Sequence, residues 1–445
     1  MAASASASSS LKWSGSRIAS QGPTETAPLS ASPAYSKKTF SADEQQKVAA
    51  IQEACRKHDL DVLAELASTN GGLVDDQVRR IAWPLLLGCD SSRHGWNVEW
   101  DVLPVHRDEE QVELDVHRSF VYYPENESDT RMTARKRELS NVITAVLRQH
   151  PILCYFQGYH DIIQVLLLVL GAEAAGPAAV RLSLLRIRDF MLPTLTGAEA
   201  HLHLLPAILY NADEELYRHL SGATKPTPFF ALAATLTLYA HDIEEYGDIA
   251  RLFDYLLASE AAVPVYLFAT IVLSRKTELL KIDHDEPEML HSILSKLPKP
   301  LNLESLIQST RSLFTSHPPS RLPNRVWRNI SANSVLKTTQ SRSHLATQTL
   351  QDGERYFHLH AAEIERVDRM KELRHRVRTL AWKYRRPLKW TGAAIMIAVV
   401  ALYFGGSNGA AGSGGSAAAA LRTWSLTALK QGLRMLEGLA GFREG

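Results

Sequence analysis

Apolar residues recur at helical spacing along most of the chain. Between about residue 42 and about residue 320, apolar segments of roughly 12 to 18 residues alternate with short polar joints. The clearest segments are PFFALAATLTLYAHDI, DIARLFDYLLAS and PVYLFATIVLSRKTELL. A sustained alternation of apolar and polar residues, which would indicate a half-buried strand, does not occur. The pattern therefore predicts an all-α, multi-helix domain over residues 41–320.

The beginning of this domain is marked by a helix start signal. Ser41 precedes a segment with helical periodicity and is followed three residues later by Glu44, which is the spacing of a capping box. Residues 1–40 are rich in Ser, Ala, Pro and Thr and contain little that could be buried. That composition predicts a disordered tail in front of the domain.

Polar and aromatic residues are concentrated in CYFQGYHDI, residues 154–162. Pro151 precedes this stretch and disfavours helix at the residue before it, so the predicted helix over 132–150 ends there. Gly158 loosens the backbone just after Gln157, and the apolar run IIQVLLLVL follows. The sequence therefore predicts that Gln157 lies at the mouth of a core helix, held rigidly while its side chain faces solvent.

A long apolar stretch lies near the end of the chain. Residues 321–388 are predicted to form a linker and then a polar helix that ends in the basic run KYRRPLK. The strongly apolar part of the next segment, WTGAAIMIAVVALYFGG, would be about 25 Å long as a helix. Because the endoplasmic reticulum bilayer is only about 27 Å thick, residues 389–406 are predicted to form a transmembrane helix with its basic side in the cytosol. A buried core helix is the alternative interpretation.

The last segment, residues 407–445, joins a Gly/Ser/Ala-rich stretch to the amphipathic sequence LRTWSLTALKQGLRMLEGLAGF. The first part is predicted to be a flexible joint. The second part fits either a helix on a membrane surface or the second half of a hairpin anchor.

Charge and cysteine content narrow the classes of partner. Among the 445 residues, 49 are Lys or Arg and 48 are Asp or Glu, so the formal net charge is only +1. This balance gives no reason to expect a nucleic acid as partner. Cys55, Cys89 and Cys154 are scattered without the spacing of metal ligands, which favours a reducing compartment and predicts no metal site.

Two polar features have limited meaning when each is taken alone. Asp115 lies three residues before Arg118, so on a helix its carboxylate can orient the guanidinium. Such a pair is most often a surface ion pair of small energetic value. A glutamine near a helix start, such as Gln157, often only caps the backbone.

Taken together and in order, four segments resemble the TBC domain of Rab GTPase-activating proteins. RRIAWPLLL, which starts at Arg79 and contains Trp83, resembles the pattern R-x-x-x-W-x-x-L-L. VELDVHR, residues 112–118, resembles I-x-x-D-x-x-R with valine in place of isoleucine. YFQGYHD, residues 155–161, resembles Y-x-Q-G-x-x-D, and the later RLFD, residues 251–254, also fits. The resemblance covers about residues 70 to 320, and the joint presence of the arginine and glutamine motifs is specific.

This resemblance implies a role for each motif residue. Arg118 would be an arginine finger, and Gln157 would orient the attacking water in a dual-finger mechanism of GTP hydrolysis. Asp115 would hold Arg118. Tyr155, Gly158 and Asp161 would support the loop and the contact with the partner. A structural role is implied for Arg79, Trp83, Arg251 and Asp254.

The resemblance also implies a partner and a location. The partner would be a Rab-family small GTPase, which carries Mg²⁺ and GTP, so no cofactor is expected for this chain. The chain would act in trans and would not bind or hydrolyse GTP alone. With a C-terminal membrane anchor it is most similar to the endoplasmic-reticulum-anchored branch, which implies a cytosolic TBC domain, contact with the lipid bilayer and a role in early secretory traffic.

Two other interpretations remain at this point. The chain could be a catalytically inactive, membrane-anchored adaptor that binds a Rab GTPase, although an adaptor would not require both Arg118 and Gln157. It could also be an HD-type metal phosphohydrolase, because His160 and Asp161 spell that pair. Further metal ligands would then have to converge on them. The available histidines and carboxylates are His201, His203, His241 and Asp242.

Overall fold

The structure is a computed structural model that describes residues 40–89, 99–124, 127–222, 227–283, 285–340 and 342–405. A small number of side chains within these ranges, most of them after residue 380, are outside the description. The predicted tail, except for its last residue, and the predicted C-terminal segment 407–445 lie outside the described residues.

The described residues form helices joined by turns and contain no strand, which confirms the prediction of an all-α fold. The helices of the first part are α1 (Ala42–Lys57), α2 (Leu60–Ser68), α3 (Asp76–Leu87), α4 (Glu109–His117), α5 (Asp129–Gln149), α6 (Tyr159–Leu170), α7 (Ala172–Leu185), α8 (Thr196–Leu202), α9 (Leu204–Ala212) and α10 (Glu214–His219). They continue with α11 (Leu232–Leu236), α12 (Tyr246–Leu257), α13 (Val263–Ser274), α14 (Lys276–Leu279), α15 (Pro287–Leu294), α16 (Leu303–Ser316), α17 (Val326–Asn329), α18 (Val335–Thr338), α19 (Arg342–Thr347) and α20 (Leu350–Gly405). Short 3₁₀ helices cover Trp100–Val102, Arg188–Met191, Phe229–Ala231 and Pro319–Arg321.

The predicted capping box starts the first helix. The Glu44 amide donates to Ser41 Oγ over 3.2 Å, and the Ser41 amide donates to Glu44 Oε2 over 2.8 Å. These reciprocal bonds satisfy two backbone donors that a helix start otherwise leaves without partners. Local sequence therefore determines where the first helix begins.

Helix α6 lies in the middle of the core. Its side chains are buried from Ile162 to Leu170, and it packs against α3, α5 and α7. A helix that is apolar on all sides must be surrounded, because no polar face remains for solvent. Helix α13 has the same character and packs against α9 and α16.

One predicted helix is broken in the structure. The segment PFFALAATLTLYAHDI contains only a 3₁₀ turn and the short α11, after which Leu238 and Tyr239 have φ values of 51° and 68°. Both of these residues are buried, and the Tyr239 hydroxyl donates to the Pro264 carbonyl over 2.7 Å. Tertiary burial holds a left-handed turn here that helical periodicity alone does not reveal.

The predicted linker from residue 321 onward is also different in the structure. The chain divides into two compact units, Met1–Phe357 and His358–Gly445, so residues 321–357 belong to the first unit. Val335 and Leu336 are buried there. Asp189 accepts a hydrogen bond from the Val335 amide over 3.2 Å, and Arg188 donates to Thr338 Oγ1 over 2.6 Å. These partners lie far away along the chain, so the sequence around residues 321–357 does not reveal them. The polar composition of this segment therefore predicted a linker.

The second unit contains most of α20, which continues without interruption from Leu350 to Gly405. The predicted polar helix and the predicted transmembrane helix at 389–406 are therefore parts of one helix. In the portion of the chain that the structure describes, no helix has the length and apolar character needed to cross a membrane. Most side chains of the predicted transmembrane segment lie outside the described residues.

Candidate functional site

Arg118 stands at the C-terminal end of α4 with its side chain largely in solvent. Its guanidinium donates from Nη2 to Asp115 Oδ1 over 2.7 Å, and the side chains are 65% and 1% exposed, respectively. Gln111, one turn earlier, donates from Nε2 to the same oxygen over 3.0 Å. The predicted Asp115–Arg118 contact is thus present, and a buried carboxylate anchors an exposed guanidinium. The head group remains available for a second partner.

Gln157 lies in the tight turn that leads into α6, and its side chain is exposed. The turn depends on Gly158, which has a φ of 100°. A Cβ atom added at this glycine would lie 2.5 Å from Thr237 Cγ2. Glycine avoids both the left-handed strain and this collision. The sequence prediction that Gln157 sits at the mouth of a core helix therefore agrees with its position.

Tyr155 connects the two segments. Its hydroxyl donates to Asp115 Oδ2 over 2.9 Å, and its amide donates to Asp108 Oδ2, near the start of α4, over 2.9 Å. Asp115 therefore binds Arg118 through one oxygen and Tyr155 through the other. Since Tyr155 precedes Gln157 by only two residues, the arginine and the glutamine are brought to one region of the surface.

The Tyr155 hydroxyl is well suited to act as a donor in this arrangement. Burial is the main cause that raises the pKa of Tyr155 far above its ordinary value, and the neighbouring Asp115 carboxylate raises it further. The phenol therefore keeps its proton throughout the physiological pH range. A carboxylate only accepts hydrogen bonds, so the phenol is the donor in the contact between Tyr155 and Asp115.

Asp161 occupies a neighbouring position but has different partners. Its Oδ2 lies 3.1 Å from His241 Nδ1, and its Oδ1 lies 3.2 Å from His160 Nε2. The hydrogen bond that His241 donates to the Asp161 carboxylate is the main cause that raises the pKa of His241. Two of the residues considered for an HD-type metal site thus meet Asp161, yet the described part of the chain contains no group of three or more His, Cys, Asp or Glu residues placed to hold a metal ion.

The four predicted structural residues form a buried polar cluster between α3 and α12. Arg79 donates to Asp254 through Nε and Nη2, each at 3.0 Å from its nearest carboxylate oxygen. Trp83 Nε1 donates to the same carboxylate over 2.8 Å. Arg251 instead donates to Glu304 Oε1 over 2.7 Å. Burial by itself would lower the pKa of Arg79, but Asp254 and Asp76 more than offset this, and the pKa is raised.

Sequence reasoning missed one residue that shapes the arginine segment. Gln164 on α6 is 4% exposed, and its Oε1 accepts from the Phe120 amide over 2.9 Å. Phe120 follows Arg118 by two residues and has a φ of 62°, which is rare for a residue with a side chain. The sequence did contain a signal for this contact. Gln164 is the single polar side chain in the apolar run IIQVLLLVL, and a buried polar group needs a partner.

The family model and the similar sequences agree with one another. The family model described as the Rab-GTPase-TBC domain matches residues 76–281. The chain is similar to the mouse protein TBC1 domain family member 20, with 35% identity over 288 residues that cover 64% of this chain and 71% of that protein. It is also similar to the GTPase-activating protein gyp10 of Schizosaccharomyces pombe, with 34% identity over 277 residues that cover 61% and 73% of the two chains. The crystal structure of the Ypt/Rab-GAP domain of Gyp1p superimposes with a TM-score of 0.48 at 15% identity and covers 61% of this chain and 98% of that one.

Proposed function

Because this chain belongs to the Rab-GTPase-TBC domain family of GTPase-activating proteins, we propose that it accelerates GTP hydrolysis by a Rab-family small GTPase. Arg118 and Gln157 are the two catalytic side chains in this proposal. The observation that carries it is the shared anchor: Asp115 binds the Arg118 guanidinium and the Tyr155 hydroxyl at the same time. One carboxylate therefore aligns both segments that must meet the nucleotide.

Arg118 has the chemistry of an arginine finger. Phosphoryl transfer to water spreads negative charge over the phosphate oxygens, and a guanidinium stabilises that charge through a planar pair of donors. The exposed side chain can reach out of the surface, while Asp115 restricts its orientation in advance. Restricting the side chain before the partner binds lowers the entropy that is lost on forming the complex.

Gln157 would orient the attacking water. Its exposed amide offers both a donor and an acceptor, so it can hold a water molecule on the line of attack. The turn at Gly158 limits the movement of the backbone that carries this amide. Mg²⁺ and GTP are supplied by the partner GTPase in this scheme, and the chain provides only side chains.

Single-turnover GTP hydrolysis with a panel of purified Rab proteins tests the proposal. We expect at least one Rab to hydrolyse its bound GTP much faster when the chain is added, and that Rab becomes the assigned substrate. The competing hypothesis of an inactive adaptor predicts a Rab that binds the chain in its GTP form without a change in hydrolysis rate. Binding measured by interferometry beside the kinetics separates these two outcomes.

Replacing Gln157 by alanine is expected to lower the stimulated rate by roughly 10²-fold, because the water would no longer be held in line. Binding of the GTP-loaded Rab should change little, since the amide contributes to the transition state more than to the ground state. The matched control is Gln308→Ala, which removes an exposed glutamine on α16. Equal rates for Gln157→Ala and the wild type would refute the assigned role.

We further propose that the chain works at the endoplasmic reticulum membrane in early secretory traffic, with residues 389–406 as its anchor. The support is the apolar sequence of that segment and the basic run in front of it. In cells, a chain ending at residue 388 should move from the membrane pellet to the supernatant, whereas the full chain should resist alkaline extraction. A full chain recovered in the supernatant would contradict the anchor.

A further inference from the structure

The Tyr155 hydroxyl has a second neighbour besides Asp115. His160, on the first turn of α6, places its Nδ1 atom 3.0 Å from the Tyr155 oxygen. The His160 side chain is 11% exposed, and its other ring nitrogen, Nε2, lies 3.2 Å from Asp161 Oδ1. The imidazole is therefore held between a phenol on one side and a carboxylate on the other.

The hydrogen bonds that Asp115, Tyr155 and His160 can form together depend on how many protons these three groups carry. A phenol has one proton, so Tyr155 can donate either to Asp115 or to His160, but not to both. If the proton goes to the Asp115 carboxylate, the Tyr155 oxygen is left as an acceptor. His160 must then carry a proton on Nδ1 in order to satisfy it. If His160 carries its only proton on Nε2, its bare Nδ1 competes with Asp115 for the phenol proton.

The protonated imidazolium is the one state that satisfies every contact. It donates from Nδ1 to Tyr155 and presents a proton on Nε2 to the Asp161 carboxylate. Each neutral tautomer loses one of these contacts: a proton on Nδ1 leaves the Nε2 lone pair facing Asp161, and a proton on Nε2 draws Tyr155 away from Asp115.

We propose that His160 is a positioning residue for Arg118, acting through the Tyr155 hydroxyl and the Asp115 carboxylate. His160 directs the phenol proton onto Asp115 Oδ2, which fixes the carboxylate whose other oxygen holds the Arg118 guanidinium. This inference rests on the proposed function of Arg118. It adds a dependence of catalysis on the protonation of a residue that touches neither the nucleotide nor the water.

The surrounding charges set the direction of the pH dependence. Burial is the main cause that lowers the pKa of His160 below its ordinary value, and His241 and Arg118 lower it further, while Asp161 and Asp115 oppose this. The lowered pKa means that the protonated state is populated at lower pH than for an ordinary histidine. The contribution of His160 should be greatest in weak acid and should decline as the pH rises.

Two variants of the full chain separate positioning from simple packing. His160→Asn retains an amide group near the position of Nδ1 that can donate to Tyr155 but cannot titrate, whereas His160→Leu removes the donor. At saturating chain concentration we expect His160→Leu to lower the single-turnover rate about 5- to 20-fold, with little change in the concentration for half-saturation. His160→Asn should recover most of that loss.

The pH dependence of the hydrolysis rate distinguishes the two roles. If His160 only packed against its neighbours, replacing it would not change this pH dependence. The ratio of the wild-type rate to the His160→Asn rate should rise as the pH is lowered from 7.5 to 6, because only the wild-type side chain gains a proton. The intrinsic pH dependence of the GTPase cancels in this ratio. A ratio that is constant with pH would overturn the proposal. So would a His160→Leu protein that is folded by circular dichroism and hydrolyses at the wild-type rate.

A measurement on the chain without a GTPase tests the role of His160 separately from the proposed function. Nitrogen-15 spectra of histidine-labelled chain report the protonation of each ring nitrogen of His160. Removing the phenol oxygen with Tyr155→Phe should shift the His160 titration and the signal of Nδ1. An unchanged His160 titration would refute the link to Tyr155, whatever the outcome of the Rab panel.

Discussion

Replacing Arg118 by alanine is expected to reduce the stimulated rate of GTP hydrolysis by about 10³- to 10⁵-fold, the range that an arginine finger contributes. Arg118→Lys should be nearly as inactive. Lysine presents a compact point charge, so it cannot reproduce the planar pair of donors, and it cannot keep the same bond to Asp115 while reaching the phosphate. The measurement is single-turnover hydrolysis with the Rab identified in the panel, at saturating chain concentration.

Stability should be almost unaffected by these two substitutions. The Arg118 side chain is mostly in solvent, and Asp115 keeps Gln111 and Tyr155 as donors when the guanidinium is removed. The matched control is Arg131→Ala, which removes an exposed arginine from the first turn of α5. An Arg118→Lys protein with full activity would eliminate Arg118 as the finger.

Replacing Asp254 by alanine is expected to lower the free energy of unfolding by about 3 to 5 kcal/mol. The Asp254 carboxylate is 0% exposed and accepts hydrogen bonds from Arg79, Trp83 and the Leu73 amide. Its removal leaves the buried guanidinium of Arg79 with Asp76 as its remaining charged partner among the described residues. An uncompensated buried charge costs far more than the net value of the pair itself.

Urea denaturation followed by circular dichroism measures this effect on the first unit. Glu304→Gln is the matched control, because Glu304 also binds an arginine, Arg251, but its side chain is 39% exposed. Arg251 itself is buried but keeps the Ala67 and Thr69 carbonyls as acceptors, and the substituted side chain is partly in solvent, so the control should lose about 1 kcal/mol or less. If Asp254→Ala were no less stable than Glu304→Gln, the cluster would not be a major source of stability.

Local sequence signals were sufficient where the structure is determined by short-range physics. The capping box at Ser41 and Glu44, the buried helix α6 and the spacing of Asp115 and Arg118 were all readable. Each depends on groups separated by at most one or two helical turns. The all-α class follows in the same way, since periodic apolar faces appear in every long segment.

The same signals failed where distant residues decide the backbone. Leu238 and Tyr239 leave the helical conformation because burial and Pro264 hold them in a left-handed turn. Residues 333–338 join the first unit because Arg188 and Asp189 bind them. Their local composition indicated a linker, and nothing nearby in the sequence predicts that Arg188 and Asp189 bind them.

At the site, the sequence by itself determined which side chains are present: an arginine with a carboxylate one turn before it, and a glutamine followed by a glycine. Only the tertiary structure decided that Asp115 also accepts the Tyr155 proton, that His160 faces the same hydroxyl and that Gln164 holds the backbone after Arg118. The physical reason is the separation along the chain between the groups that interact. Helix periodicity and capping are set by contacts between near neighbours, whereas the hydrogen bond between Tyr155 and the Asp115 carboxylate of α4 depends on how α4 and α6 pack.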